Sequence, residues 1–388
     1  MSIDIQSTAF AIPGTARSTP RATFGSIEAG RGIAALLVVL YHADRLATNP
    51  TYWHARAFGG AFIGGHAGVE FFFVLSGFII AHVHARDIGR PDRLRRYVAR
   101  RFDRVYPLYW LVLTGIITLT LLGLAVPSLR HVDAAVIARS YLLIGGDSHD
   151  GVLTVSWTLF HEILFYAAFA VLIVHRRAGI VVGALWLAAI VTCAVGASGG
   201  AGIIPAYVTS PLNLLFALGV VTQIAVRQRR VRYPWLWVAL GLMAFVTLAA
   251  EEAFAGGLGE TARNLLYGVA SAAALGGVVS RERDRQFPVP AAMSVLGAAS
   301  YSIYLIHYPA LSIVARAMQR AGLIAAMPEN VGFTLLCVVV VGLGVAVHYG
   351  VERPVLTWLR QFRRHRDLLL NRVTEIDGEK LQVMFAVR

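Results

Sequence analysis

The sequence predicts an all-α polytopic membrane protein with about ten transmembrane helices and both termini in the cytoplasm. Three observations lead there. The 388 residues are 57% hydrophobic and only 15% charged, whereas a soluble domain is about a quarter charged. The apolar residues fall in runs of about 20, the length that crosses a hydrocarbon core. Basic residues gather in alternate loops between those runs, the asymmetry that orients spans in a bilayer. The same composition excludes other classes. A mean hydropathy of +0.63 is incompatible with intrinsic disorder. Cys193 and Cys337 both lie within apolar runs, so no disulfide framework is expected. The net charge of +13 is spread in short clusters rather than gathered on one soluble face, so no nucleic-acid partner is expected.

The runs cover roughly 27–46, 66–85, 105–126, 155–174, 179–197, 206–226, 234–253, 263–280, 292–315 and 331–351. A shorter apolar segment, 132–144, is expected as an interfacial or re-entrant helix. Residues 1–26 are polar and lack the layout of a signal peptide, so they are expected to form a flexible cytoplasmic tail. Residues 27–353 form the transmembrane domain and 354–388 a basic cytoplasmic tail. Orientation follows from arginine, because Lys380 is the sole lysine among the 35 basic residues. The segment 86–104 carries Arg86, Arg90, Arg93, Arg95, Arg96, Arg100, Arg101 and Arg104. Arg176 and Arg177 come two spans later, then Arg227 to Arg232, Arg281 to Arg285, and Arg353 to Arg366. The intervening segments carry few basic residues, and the one around Glu251, Glu252 and Glu260 is acidic.

Ionisable groups inside spans are costly and mark function. In the first run, Arg31 precedes His42 by eleven residues, which is about three helical turns, so both share one face about 16 Å apart. The second run carries Glu70 and, six residues on, Ser76 followed by Gly77. The fourth begins Ser156-Trp157-Thr158-Leu159 and carries Glu162. The ninth reads Ser300-Tyr301-Ser302-Ile303-Tyr304-Leu305-Ile306-His307. His42, Ser76, Glu162 and His307 are expected at similar depths around a polar chamber. Near the cytoplasmic face, Arg31 is expected level with Arg100, Arg101 and Arg104, whose guanidinium forks suit phosphate. The blander alternatives are an anchoring arginine, a buried histidine bonded to a neighbour, a structural ion pair and an aromatic packing seam along Tyr301, Tyr304 and Tyr308. No Cys-x-x-Cys, His-Glu-x-x-His, Gly-rich phosphate loop or Gly-x-Ser-x-Gly elbow is present, so no metal is expected.

Taken together, these motifs resemble the acyltransferase 3 family of integral-membrane acyltransferases, nearest its branch of exopolysaccharide-production O-acetyltransferases. Arg31 and His42 match the family's arginine–ten residues–histidine signature. Gly68 to Phe78 resembles its aromatic-rich Ser-Gly-Phe segment, and Arg104-Val105-Tyr106-Pro107-Leu108-Tyr109 its Arg-aliphatic-x-Pro-x-Tyr motif. Ser156 to Glu162 resembles its tryptophan–glutamate motif, with Thr158 where serine is more usual. Ser300 to His307 resembles its Ser-Tyr-Ser-aliphatic-Tyr-Leu-x-His block.

The resemblance implies an O-acyltransferase in the bacterial inner (cell) membrane. It would move an acyl group, usually acetyl from acetyl-CoA, to a hydroxyl of a glycan or lipid-linked sugar, beside other polysaccharide biosynthesis machinery. Arg31, Arg100, Arg101 and Arg104 would hold the coenzyme phosphates. His42 would serve as general base or as acyl carrier. Glu162 would orient His42 or stabilise its charged form. Ser76, Tyr301 and His307 would position the sugar or donate hydrogen bonds to the oxyanion. A small glycosylated acceptor (a Nod-type oligosaccharide or a macrolide sugar), a succinyl group, a transporter and a non-catalytic assembly subunit remain the alternatives.

Overall fold

The computed structural model describes residues 24–122, 133–145, 151–195, 206–229, 231–284, 288–363 and 365. Residues 1–23 of the expected 1–26 tail and 366–388 of the expected 354–388 tail lie outside the described residues, as do Arg230, Arg285 and Arg364. Among the described residues the fold is helical and contains no strand. In chain order the helices are α1 (Gly25–Ala47), α2 (Gly68–His84), α3 (Leu94–Leu121), α4 (Ala134–Leu142), α5 (Trp157–Val174), α6 (Arg176–Val195), α7 (Asn213–Gln228), α8 (Pro234–Phe254), α9 (Glu260–Asp284), α10 (Ala291–Arg320), α11 (Leu323–Ala326) and α12 (Glu329–Val347).

A helix occupies each of the ten apolar runs. Among the described residues, eight helices are long and apolar enough to cross a membrane, and α7 and α10 are not among them. The α7 helix has 16 residues, only about 24 Å of rise. The α10 helix has 30 residues, but Ser300, Tyr301, Ser302, Tyr304, His307 and Tyr308 lower its hydropathy. Within the expected segment 132–144 lies α4, whose N-cap Asp133 accepts from the Val136 N–H at 2.7 Å.

The basic segment before the third span is not a loop throughout. Pro91 opens a short 3-10 turn, and α3 begins at Leu94, so Arg95 to Arg104 ride on its first turns. The C-terminal segment likewise stays helical at first. A π turn over His348–Glu352 follows α12, and residues 353–363 continue as helix.

Two close helix contacts fix the bundle. The α1 and α10 helices run parallel, with Gly32 against Gly297 and, ten residues further along each, His42 against His307. A Cβ on Gly297 would lie 2.1 Å from the Glu28 carbonyl oxygen, so only glycine permits this approach. Ala35, Val39 and Ala43 continue the seam against Ala299, Ile303 and Ala310. The α2 and α7 helices meet just as closely: a Cβ on Gly219 would lie 1.9 Å from the Val74 oxygen. Small residues suit these contacts, because in lipid helices associate by packing rather than by escape from water. The N-terminus of α1 is held from α9, where Glu282 accepts from the Gly25 N–H at 2.7 Å and the Ser26 N–H at 3.2 Å.

Gly297→Ala is therefore expected to lower the thermal midpoint of the solubilised protein, with a cost of about 1–3 kcal/mol for overpacking. Gly342→Ala, at a site with nothing within 4 Å, is the matched control and should leave the midpoint unchanged.

Candidate active site

Six helices enclose a cavity of about 280 Å³. Arg31 comes from α1, Ser76 from α2, Arg101 and Arg104 from α3, Glu162 and Tyr166 from α5, Phe216 from α7, and Ser300, Tyr301 and Tyr304 from α10. The cavity lies along α2 from Ile80 to Val69, eleven residues and about 16 Å of rise. One end is basic and the other aromatic. Arg31, Arg101 and Arg104 line it with Ile79 and Ile80 on α2, whereas Phe72, Phe73 and Tyr304 close the far end.

Each arginine at the basic end is placed differently. The Arg101 guanidinium lies over the Tyr166 and Tyr97 rings, at 5.5 and 5.9 Å, and donates to His84 at 3.5 Å. Its buried Nε has no partner among the described residues. Arg104 lies over the Tyr301 ring at 5.0 Å and pairs with Glu352 at 3.7 Å. Arg31 is half-buried and has no ion-pair or hydrogen-bond partner among the described residues. Arg100 is exposed and does not line the cavity.

The Arg104 partner escaped the motif search. Glu352 sits in the π turn and is buried, and it accepts from Ser302 Oγ at 2.7 Å and pairs with His348 at 2.8 Å. A π turn widens the helix by one residue and often marks a working site. Its only sequence signal was an acidic residue beside the basic run at Arg353.

The expected chamber is divided in two. Glu162 accepts from Tyr166 and from Ser76, the latter at 3.4 Å, and makes no contact with His42. Thr158 pairs with Tyr304 at 2.9 Å. The course of α5 then carries Glu162 one turn toward the arginines. His307 lies almost a turn to the opposite side of Tyr304. The Tyr304 and His307 rings are 5.6 Å apart, and Phe72 lies 5.8 Å from Tyr304. Tyr304 and Phe72 thus form a floor between the cavity and the histidines.

Beyond that floor, His42 Nδ1 lies 2.9 Å from the Val38 carbonyl and 3.3 Å from His307 Nε2. His307 is fully buried, and its Nδ1 lies 2.5 Å from the Tyr304 carbonyl. It therefore has no N–H free for a substrate. Tyr301 is committed as well, since its hydroxyl donates to the Val105 carbonyl at 2.7 Å. Of the three groups expected to serve the acceptor or oxyanion, Ser76 alone keeps a hydroxyl on the cavity. Ser300 adds another, fully buried and unpartnered among the described residues.

A second polar cluster lies past His42. The Tyr41 ring touches the rings of His42 and His66, at 5.1 and 5.5 Å. His66 bridges Glu252 at 2.9 Å and Glu70 at 3.5 Å. Tyr267 and Arg263 also reach Glu252. The sequence marked the segment around Glu251, Glu252 and Glu260 as acidic but gave no sign that Glu252 meets His66. Among the described residues, no three His, Cys, Asp or Glu side chains group as metal ligands.

The acyltransferase 3 family model, an acyltransferase domain, matches residues 24–349. The chain belongs to that family. This acyltransferase-family chain is 33% identical over 310 residues to the exopolysaccharide production protein ExoZ of Rhizobium meliloti (strain 1021), covering 78% of the chain and 93% of that protein. It is 28% identical over 172 residues to protein 2 in the picA locus of Rhizobium radiobacter, covering 39% of the chain and 83% of that protein. No solved structure matches it.

Removing the Arg104 guanidinium leaves Glu352 buried with fewer partners. Arg104→Gln is expected to destabilise the protein by roughly 1–3 kcal/mol, read as a lower denaturation midpoint in detergent. The double variant Arg104→Gln with Glu352→Gln should recover part of that loss.

Proposed function

We propose that this membrane acyltransferase moves an acyl group, acetyl in the first instance, from cytoplasmic acyl-CoA to a hydroxyl of an exported or cell-surface polysaccharide or its lipid-linked precursor. The observation that carries the reading is the cavity itself, which leads from three guanidinium groups to a floor directly under the histidine pair. The similarity to an exopolysaccharide production protein supports a polysaccharide as acceptor. Basic residues gathered in alternate loops, and so on one side, support a basic end facing the cytoplasm of a bacterial inner membrane.

In this reading Arg31, Arg101 and Arg104 bind the coenzyme phosphates, with Arg100 adding attraction at the surface. The pantetheine arm runs along the apolar wall, and the thioester passes the Tyr304 floor to reach His42. His42 takes the proton of the acceptor hydroxyl as that oxygen bonds to the acyl carbon. The carbon–sulfur bond breaks, and the thiolate receives the proton from His42. Ser300 supplies a hydroxyl donor along the arm, and Ser76, whose proton goes to Glu162, an acceptor. Glu162 orders Ser76 and Tyr166 rather than His42. The acceptor approaches from the opposite side, past Tyr41 and His66.

The test is transfer of label from acetyl-CoA to isolated polysaccharide in membranes at matched expression. Wild-type membranes should label the glycan, and His42→Ala should lower turnover at least about 100-fold. Arg31→Ala should raise the KM for acetyl-CoA several-fold and leave that for the acceptor unchanged. Full activity of His42→Ala would refute its role as base. Label confined to a small oligosaccharide would reassign the acceptor, and solute movement without label would favour a transporter.

A further inference from the structure

Hydrogen-bond geometry around the histidine pair specifies which ring nitrogens carry protons. A carbonyl oxygen only accepts, so the nitrogen facing it must donate. His307 Nδ1 lies 2.5 Å from the Tyr304 carbonyl and therefore bears hydrogen. In a neutral ring its Nε2 is then a lone pair. That lone pair faces His42 Nδ1 at 3.3 Å. His42 Nδ1 in turn lies 2.9 Å from the Val38 carbonyl and must also bear hydrogen. The three contacts are mutually consistent in one arrangement. The His42 Nδ1–H is shared between Val38 and His307, and His42 Nε2 is left with a bare lone pair.

We infer that His307 is a positioning residue, whose Nε2 lone pair holds His42 in the Nδ1–H tautomer with Nε2 free to take a proton. The Val38 carbonyl is the partner of the His42 backbone N–H four residues on in α1, so it offers the ring only its remaining lone pair. His307 supplies the second acceptor and fixes the plane of the His42 ring, with centroids 4.9 Å apart and planes at 59°. When His42 gains a proton at Nε2, its Nδ1–H becomes a charge-assisted donor and both bonds strengthen. A serine protease uses an aspartate for the same task. Here the acceptor is a neutral ring, which avoids placing a carboxylate in a site the bilayer surrounds. Full burial of His307 keeps competing water from its lone pair. The role assigned to His42 rests on the proposed acyl transfer, whereas the tautomer does not.

Two measurements separate these. Full-length protein labelled with 15N-histidine in lipid nanodiscs reports tautomers without any substrate, and His42→Gln assigns the His42 signals. Wild type should show His42 as the Nδ1–H form alone. His307→Leu should show a mixture, and His307→Gln should restore the single form, because its amide oxygen reaches the place of the lost lone pair. In the transfer assay, His307→Leu should lower kcat about 100-fold with the KM for acetyl-CoA unchanged, and His307→Gln should return to within several-fold of wild type. An Nε2–H form in wild type, or one unchanged form in His307→Leu, would overturn the inference. So would equal loss of kcat in the Leu and Gln variants. If wild type labels no acceptor, the functional reading fails and the tautomer result still stands or falls by itself.

Discussion

Everything at the centre of this protein depends on how closely α1 and α10 pack. Their axes approach near Gly32 and Gly297, where a single methyl would collide with backbone. Because the helices are parallel, register set at the glycines is carried unchanged for ten residues to His42 and His307. A looser contact would widen the 3.3 Å separation of the rings beyond hydrogen-bond range. In lipid this seam has no hydrophobic drive behind it, so fit between small side chains has to hold it. The histidine geometry is thus a consequence of glycine and alanine placement well away from the chemistry.

The basic end is organised by aromatic faces as much as by carboxylates. Arg101 and Arg104 rest on Tyr166, Tyr97 and Tyr301, and among the described residues Glu352 is the one carboxylate paired with either. Stacking fixes a guanidinium without neutralising it, so positive charge remains for an anionic ligand. Full pairing with carboxylates would anchor the side chains equally well and cancel the field. The arrangement suits capture of a phosphate-bearing molecule at the mouth of an otherwise apolar cavity.

What was legible in the sequence follows a physical divide. Helical periodicity reports positions along one chain segment, so the shared face of Arg31 and His42 and the presence of a helix in each apolar run could be read directly. Hydropathy gives the approximate depth of a residue and says nothing of the direction its side chain takes around the axis. Glu162 illustrates the limit: it is a half-buried acid in a span, as His42 is a half-buried base, but it turns to Ser76 and Tyr166. The Glu352 and His66 clusters were hidden for another reason. Their bonds join residues 50 and 186 positions apart, and no local pattern encodes such pairings. His307 was found as a residue, while its task became visible only through the Tyr304 carbonyl.

The order of synthesis gives the α1–α10 contact a further meaning. Its two histidines are 265 residues apart in the chain, so α1 emerges from the ribosome long before its partner exists. During that interval the first helix carries Glu28, Arg31 and His42 without the surface that will later shelter them. A waiting helix of this kind needs either temporary neighbours or a protected place beside the insertion machinery. The histidine pair is consequently assembled among the last events of biogenesis, and a chain arrested before α10 would hold its cavity open on one side with no completed pair beyond it.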